Sequence, residues 1–229
     1  ALPILYEFKD EYANMPVDVQ KDEEKGLYYV QKEKKRLYFR KSTPAKKIQK
    51  YYRALSMEQD RRSPHHYFNS VKEVTGKVFV DVGCAEGYSS LEIIEEAKHV
   101  YLFEQDEQWL EAIRATFEPW QDKVTIVQKY VSDHNSSREQ TLDDFFNNQT
   151  NEHLFLKMDI EGAERHALAG CNNLFQNCQK LDFAICTYHL RDDEEVISAF
   201  LDKHNCTYIN QKGFFRHKIR SVVMRGSKK

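Results

Sequence analysis

The sequence has few cysteines, and they are not arranged to pair. The five present, Cys84, Cys171, Cys178, Cys186 and Cys206, are odd in number and none stands in a C-x-x-C. Neither a disulfide framework nor a zinc site is indicated, and ordinary thiols in a reducing cytoplasm are expected. Long apolar runs are missing as well, since no stretch approaches the ~20 residues that span a bilayer. The start, A-L-P-I-L-Y-E-F-K-D, is apolar for only five residues and lacks a basic n-region, so it does not read as a secretory signal. Repeats and low-complexity segments are absent. With 229 residues the chain is long enough for one sizeable core, and a second full domain is not expected.

Net charge is also nearly absent, at −2 from 34 Lys and Arg against 36 Asp and Glu. That balance argues against a general nucleic-acid binder. The distribution is uneven: nine Lys or Arg face one acid, Glu33, between Lys32 and Lys50, and the tail carries Arg216, Lys218, Arg220, Arg225, Lys228 and Lys229. Such runs are usually solvated faces, and they matter to function only if both fold to one mouth.

Periodicity divides the chain near Gly76. Before it, L-Y-Y-V (27–30) and R-L-Y-F (36–39) read as a hairpin across a charged turn. Thr43-Pro44 reads as an N-cap with proline at the first helical position, and Ile48, Tyr51, Tyr52 and Leu55 repeat at helical spacing. Residues 1–70 are thus an extension whose amphipathic helix should dock on the main domain, residues 71–229. From Gly76 apolar strands alternate with helices. Strands are expected at 77–82, 99–103, 124–128, 154–158 and 183–187, then a pair at 207–210 and 220–224. Helices are expected over 88–98, 107–117, 142–146, 163–175 and 194–203. The class is α/β, with a doubly wound, mostly parallel sheet and an antiparallel ending.

In such a sheet the first strand-to-helix turn contacts the ligand. Here that turn is D-V-G-C-A-E-G-Y, Asp81 to Tyr88, in which Gly83 and Gly87 let backbone approach a ligand closely. The G-x-G-x-x-G of a dinucleotide turn and the G-K-[ST] of a P-loop are both missing, and Glu86 would repel a pyrophosphate. An acidic turn instead suits the positively charged sulfonium of S-adenosylmethionine. Glu104 ends the next strand 21 residues after Gly83, where an acid can accept both hydroxyls of a ribose. Together these features favour a methyltransferase over a dehydrogenase.

The string L-K-M-D-I-E-G-A-E holds three carboxylates. Glu164 reads as a plain helix-start acid. A side-chain period of two puts Asp159 and Glu161 on one side at the edge beside the cofactor turn. The strand I-C-T-Y-H brings His189 to the same edge. A histidine oriented by a carboxylate can take the proton of a hydroxyl as it is methylated. Asp159, Glu161 and His189 suit equally a divalent cation, Mg²⁺ or Mn²⁺, that acidifies a diol. The two readings are not separable at this level, with His189 as base the preferred one.

Over roughly residues 27–229 the chain resembles FkbM-family S-adenosylmethionine-dependent methyltransferases. The resemblance is carried by V-D-V-G-C-A-E-G-Y-S-S, V-Y-L-F-E-Q-D, T-F-E-P-W, T-L-D-D-F-F, L-K-M-D-I-E-G-A-E, I-C-T-Y-H, E-Q-D-R-R-S-P-H-H-Y and F-F-R-H-K-I-R. It implies a Rossmann-like class I methyltransferase with a seven-stranded sheet, and O-methylation, commonly of sugar hydroxyls in glycans or glycosylated metabolites. The implied cofactor residues are Asp81, Gly83, Cys84, Ala85, Glu86, Gly87, Tyr88, Ser89, Glu104, Gln105, Val131, Ser132 and Asp159. Cys84 stands where alanine is common, and Tyr130-Val131-Ser132 departs from the usual spelling beside the adenine. The resemblance also places His65 and Tyr67 over the cofactor mouth as lid or substrate residues. Arg216 and Arg220 would join the basic stretch as a wall for an anionic acceptor. Two rivals remain. A nucleic-acid methyltransferase of this fold is disfavoured by net charge and by the lack of N-P-P-[YF]. A non-catalytic cofactor-binding module has no need of the polar groups at the strand ends.

Overall fold

The computed structural model describes residues 4–5, 7–147, 152–215 and 218–228. Seven strands form the main sheet: β1 (Val78–Val82), β2 (His99–Phe103), β3 (Val124–Val127), β4 (His153–Met158), β5 (Lys180–Cys186), β6 (Thr207–Phe215) and β7 (Lys218–Lys228). Their order is β3-β2-β1-β4-β5-β7-β6, and β7 alone of these runs against the rest. A short strand not expected from the sequence, Ile4–Leu5, adds an eighth member antiparallel to the end of β6. The sheet is therefore doubly wound and mostly parallel, as the alternation of apolar strands and helices implies.

All five residues of β1 are buried, which is why its V-F-V-D-V shows no polar alternation. Phe79 packs on one face with Leu91, Ile113, Phe117 and Phe155, and Val78, Val80 and Val82 pack on the other with Leu156, Phe175 and Phe183. The first of these cores also holds Leu27, Leu37, Phe39 and Ile48 of the N-terminal segment. The expected hairpin is there as Leu27–Lys32 paired with Lys35–Tyr38. A third strand, Val19–Asp22, lies against it; its V-Q-K-D is mostly half-exposed or exposed, so it carries little apolar signal. The amphipathic helix spans Ala45–Glu58, with Pro44 rather than Thr43 at the cap.

Two helices are shorter than their periodicity suggests. The one after the cofactor turn ends at Ile93. The expected 163–175 helix divides into Glu164–Ala169 and Asn172–Asn177. The break is at Gly170, where a Cβ would lie 2.1 Å from the Ser132 carbonyl oxygen. One residue of the basic tail is a structural clamp. Arg225 is buried on β7 and reaches Glu73 (2.6 Å), Gln211 (3.2 Å) and His66 (3.0 Å). Arg225→Met should cost about 2 kcal/mol, below the usual loss for a fully buried pair because Glu73 is partly exposed. Equilibrium denaturation would measure it.

Candidate active site

The turn after β1 is built from backbone conformations that few residues adopt. Gly83 has φ +79°, and a Cβ there would sit 2.1 Å from the Asp159 carbonyl oxygen and 2.7 Å from the Ile160 side chain. The turn is thus pressed against the end of β4, and Gly83 is required by contact as well as by conformation. Ala85 is also left-handed, at φ +47°. Glu104, just beyond β2, accepts the Ala85 N–H (3.0 Å) on one carboxylate oxygen and the Asp106 N–H (2.7 Å) on the other. Each oxygen keeps a further lone pair, so the carboxylate is fixed in a pose that can accept a diol.

This turn floors a cavity of about 860 Å³, within the ~300–1,000 Å³ of ligand pockets. Of the expected cofactor residues, Asp81, Gly83, Cys84, Ala85, Glu86, Tyr88, Ser89, Glu104, Gln105, Val131 and Asp159 line it, as do His65 and Tyr67. Gly87 and Ser132 do not. Gly87 packs under the turn against the Phe117 ring, and Ser132 is buried against Gly170. Asp81 is committed elsewhere. Its carboxylate is fully buried, pairs with Lys157 Nζ at 2.8 Å and accepts the Ser90 hydroxyl at 2.6 Å.

Arg220 lies outside the cavity and donates to the Leu190 carbonyl; Arg216 lies outside the described residues. The expected basic wall is therefore not built from Arg220. The wall is the Ala45–Glu58 helix, which contributes Tyr51, Leu55 and Glu58. Sequence reasoning missed Tyr51, Glu58, Arg40, Trp109, Lys157 and Tyr188 as lining residues. Two carried a signal. Lys157 is a lone charge in an apolar strand whose neighbour β1 has a lone charge, Asp81, directly opposite. Glu58 continues the Tyr51, Leu55 spacing, which puts an acid on the apolar face of its helix.

At the polar end Asp159 accepts the Tyr67 hydroxyl at 2.7 Å, with the Tyr188 hydroxyl 3.5 Å away. Burial opposes its charge, but His65, Lys157 and His189 hold its pKa below the usual carboxylate range. Burial lowers His65 to about 4, so it is neutral at pH 7. Lys157 also donates to the Gly83 carbonyl at 2.7 Å, tying β4 to the turn.

Of the acidic string, Glu161 lines the cavity as expected, at its exposed rim, while Glu164 does more than cap its helix. Glu161 is left-handed (φ +56°), and its side chain is 92% exposed. Glu164, expected only to cap its helix, is 0% exposed. It accepts the Ile160 N–H at 2.9 Å and lies 2.9 Å from His189 Nδ1, within ion-pair reach but off the line of a straight hydrogen bond. His189 Nε2 is 3.5 Å from Asp159 and 3.6 Å from Glu161. The His189 ring does not line the cavity; it sits behind Asp159, 8% exposed. Burial works against its protonation, yet Glu164, then Asp159 and Glu161, raise its pKa above the ordinary value. Ligand atoms of Asp159, Glu164 and His189 lie within 4.8 Å of one another, so the cation-capable group contains Glu164 in place of Glu161.

The sheet order, the glycine turn after β1 and the anchored acid after β2 define a class I methyltransferase fold. The magnesium protoporphyrin IX methyltransferase of Synechocystis PCC 6803, solved with bound S-adenosylmethionine, shares it. The TM-score is 0.50 at 12% identity, over 81% of this chain and 85% of that one. The Methyltransferase FkbM domain matches residues 82–209, more than half of the chain. The chain belongs to the FkbM methyltransferase family. The FkbM methyltransferase of Methylobacillus flagellatus KT superimposes with a TM-score of 0.50 at 19% identity, covering 80% of this chain. The chain spans only 55% of the length of that protein. No curated protein matches the sequence. No helix among the described residues is long and apolar enough to cross a membrane.

Proposed function

We propose that this chain is an S-adenosylmethionine-dependent O-methyltransferase acting on a hydroxyl, that of a sugar in a glycan or glycosylated metabolite. The observation that carries the reading is the placement of Asp159. Its carboxylate meets the cavity beside the Gly83 turn, with His189 and Glu164 lined up behind it. The turn and Glu104 fit a nucleoside with a free diol, and the cradle at Gly83 is one that any Cβ would fill. When bound, the cofactor supplies an electrophilic methyl group on a sulfonium.

The chain's residues manage the acceptor proton. Asp159 orients the hydroxyl; as the oxygen gains its methyl the O–H bond breaks, and the proton passes through the Asp159 carboxylate to His189. His189 must be neutral to receive it. Its pKa is raised, so activity should increase with pH through a value above 6.5, the ordinary value for histidine. His189→Ala should reduce turnover roughly 10²- to 10⁴-fold with cofactor affinity retained; unimpaired turnover would eliminate the base. Glu164→Gln should move the ascending, acidic limb of the kcat/KM profile to lower pH, since Glu164 is the strongest of the groups holding His189 up. A profile that did not move would show that Glu164 only shapes the turn.

The divalent-cation reading has less support. Asp159 already accepts the Tyr67 hydroxyl, and Glu164 accepts the Ile160 N–H and meets His189 Nδ1, so these groups have partners without a metal. Activity lost on chelation and restored by Mg²⁺ or Mn²⁺ would reinstate it. Nucleic acid fits poorly as acceptor, because carboxylates outnumber lysines and arginines in the cavity lining. The same excess favours an uncharged acceptor over an anionic one.

A further inference from the structure

The cavity lining holds more acidic side chains than its own cations can neutralise. Seven carboxylates line it against three lysine or arginine side chains. Two of the three are spent: Arg40 pairs with Asp106 at 2.7 Å and Lys157 with Asp81 at 2.8 Å. The third, Lys129, donates to the Ser136 carbonyl and to Gln140. Glu86, on the cofactor turn, is buried with, among the described residues, only the Tyr51 hydroxyl (2.7 Å) for a side-chain partner. Glu58, at the end of the wall helix, lines the same cavity and has no hydrogen bond or ion pair among the described residues. Taking charge out of water without a partner is costly, so these two acids hold on to their protons until a cation enters the cavity that both line.

Given the cofactor reading above, we propose that Glu58 and Glu86 form an anionic clamp for the sulfonium, and that Glu58 is the residue by which the site distinguishes the cationic methyl donor from its neutral demethylated product. The selection serves turnover. The methyl donor brings the positive charge that both acids lack, and S-adenosylhomocysteine, with its thioether, leaves Glu58 unmatched and is released.

The clamp is coupled to a proton. Burial, with the nearby Asp159, Glu86 and Glu161 carboxylates, raises Glu58 to about 8. Burial also raises Glu86. The chain's N-terminal amino group acts in the opposite sense, and the two tyrosines bearing on Glu58, Tyr51 of its own helix and Tyr188 beyond β5, are neutral at pH 7. At pH 7 Glu58 is mostly protonated. A bound cation favours its ionised form, so binding the donor expels a proton, and donor affinity rises with pH until Glu58 is ionised without help.

Calorimetry on the intact chain, with S-adenosylmethionine and S-adenosylhomocysteine in buffers of different ionisation enthalpy, tests this. At pH 7 the donor should release a fraction of a proton approaching one and the product should release less. Glu58→Gln, close in size, should weaken the donor roughly tenfold, leave the product within about twofold and abolish the difference in proton release. Equal losses for both ligands, or proton release unchanged in the variant, would overturn the clamp and leave the cofactor reading standing. If neither ligand binds the wild-type chain, the cofactor reading fails and the clamp with it.

Discussion

Replacing Gly83 with alanine is expected to reduce S-adenosylmethionine affinity by at least about 100-fold, the largest loss foreseen for any single methyl group in this chain. Two costs combine. Gly83 occupies φ +79°, where an L side chain is strained by about 1–2 kcal/mol. The added Cβ would also stand 2.1 Å from the Asp159 carbonyl oxygen, and that oxygen is backbone. To make room, the turn must lift away from β4. Lifting it separates the cofactor loop from Asp159 and breaks the 2.7 Å bond from Lys157 Nζ to the Gly83 carbonyl. Calorimetric titration reads the affinity, and a thermal melt shows whether the variant still folds. Near wild-type affinity in a folded Gly83→Ala protein would mean that the turn is not the cofactor cradle.

Lys157→Met is expected to cost about 3–5 kcal/mol, because it leaves a buried carboxylate, Asp81, without its counter-charge. For a chain of this size that is a fall in Tm of roughly 10 °C. Burial alone would strip the Lys157 charge; the facing Asp81 and Asp159 carboxylates keep it protonated, with its pKa raised. Lys157 and Asp81 are opposite one another in the β4–β1 register and both are almost fully buried. The double variant Lys157→Met with Asp81→Leu should therefore recover part of the loss, since it removes the orphaned charge together with its partner. Equal destabilisation by single and double variants would indicate that the pair's hydrogen bonds, to Gly83 and Ser90, matter more than its charges.

The sheet was legible in the sequence because its central strands, β1, β4 and β5, are buried almost throughout and read as apolar runs between helices. The cofactor turn was legible because positive φ and close approach leave glycine as almost the only residue for Gly83. The polar end was harder. A period of two assigns Asp159 and Glu161 to one face only while the chain remains extended. At Glu161 it turns left-handed, so the exposed acid is Glu161 and the buried one is Glu164. Helix capping explained the type of residue at Glu164 well enough to conceal its second contact, with His189. The break at Gly170 depends on Ser132, distant in sequence, and no local pattern reveals it. Glu58 was concealed in a different way: its helix was recognised and expected to dock, but which strand ends it would face is a tertiary fact.

Arg220 shows the opposite error. A basic tail was expected to supply an acceptor wall, whereas Arg225 clamps β7 to Glu73 and Arg220 caps the carbonyl of Leu190. Charge runs report composition, and their direction is set by the strands that carry them. The lining that results is acidic, which suits a cationic cofactor and a neutral acceptor.

The most direct test of the account is transfer of a labelled methyl group from S-adenosylmethionine to a panel of neutral saccharides and glycosides, with the labelled product located by NMR. The account predicts an O–CH₃ signal on a sugar carbon, one S-adenosylhomocysteine released per methyl transferred, and loss of both in His189→Ala. Label found on nitrogen, on carbon or in nucleic acid would contradict it.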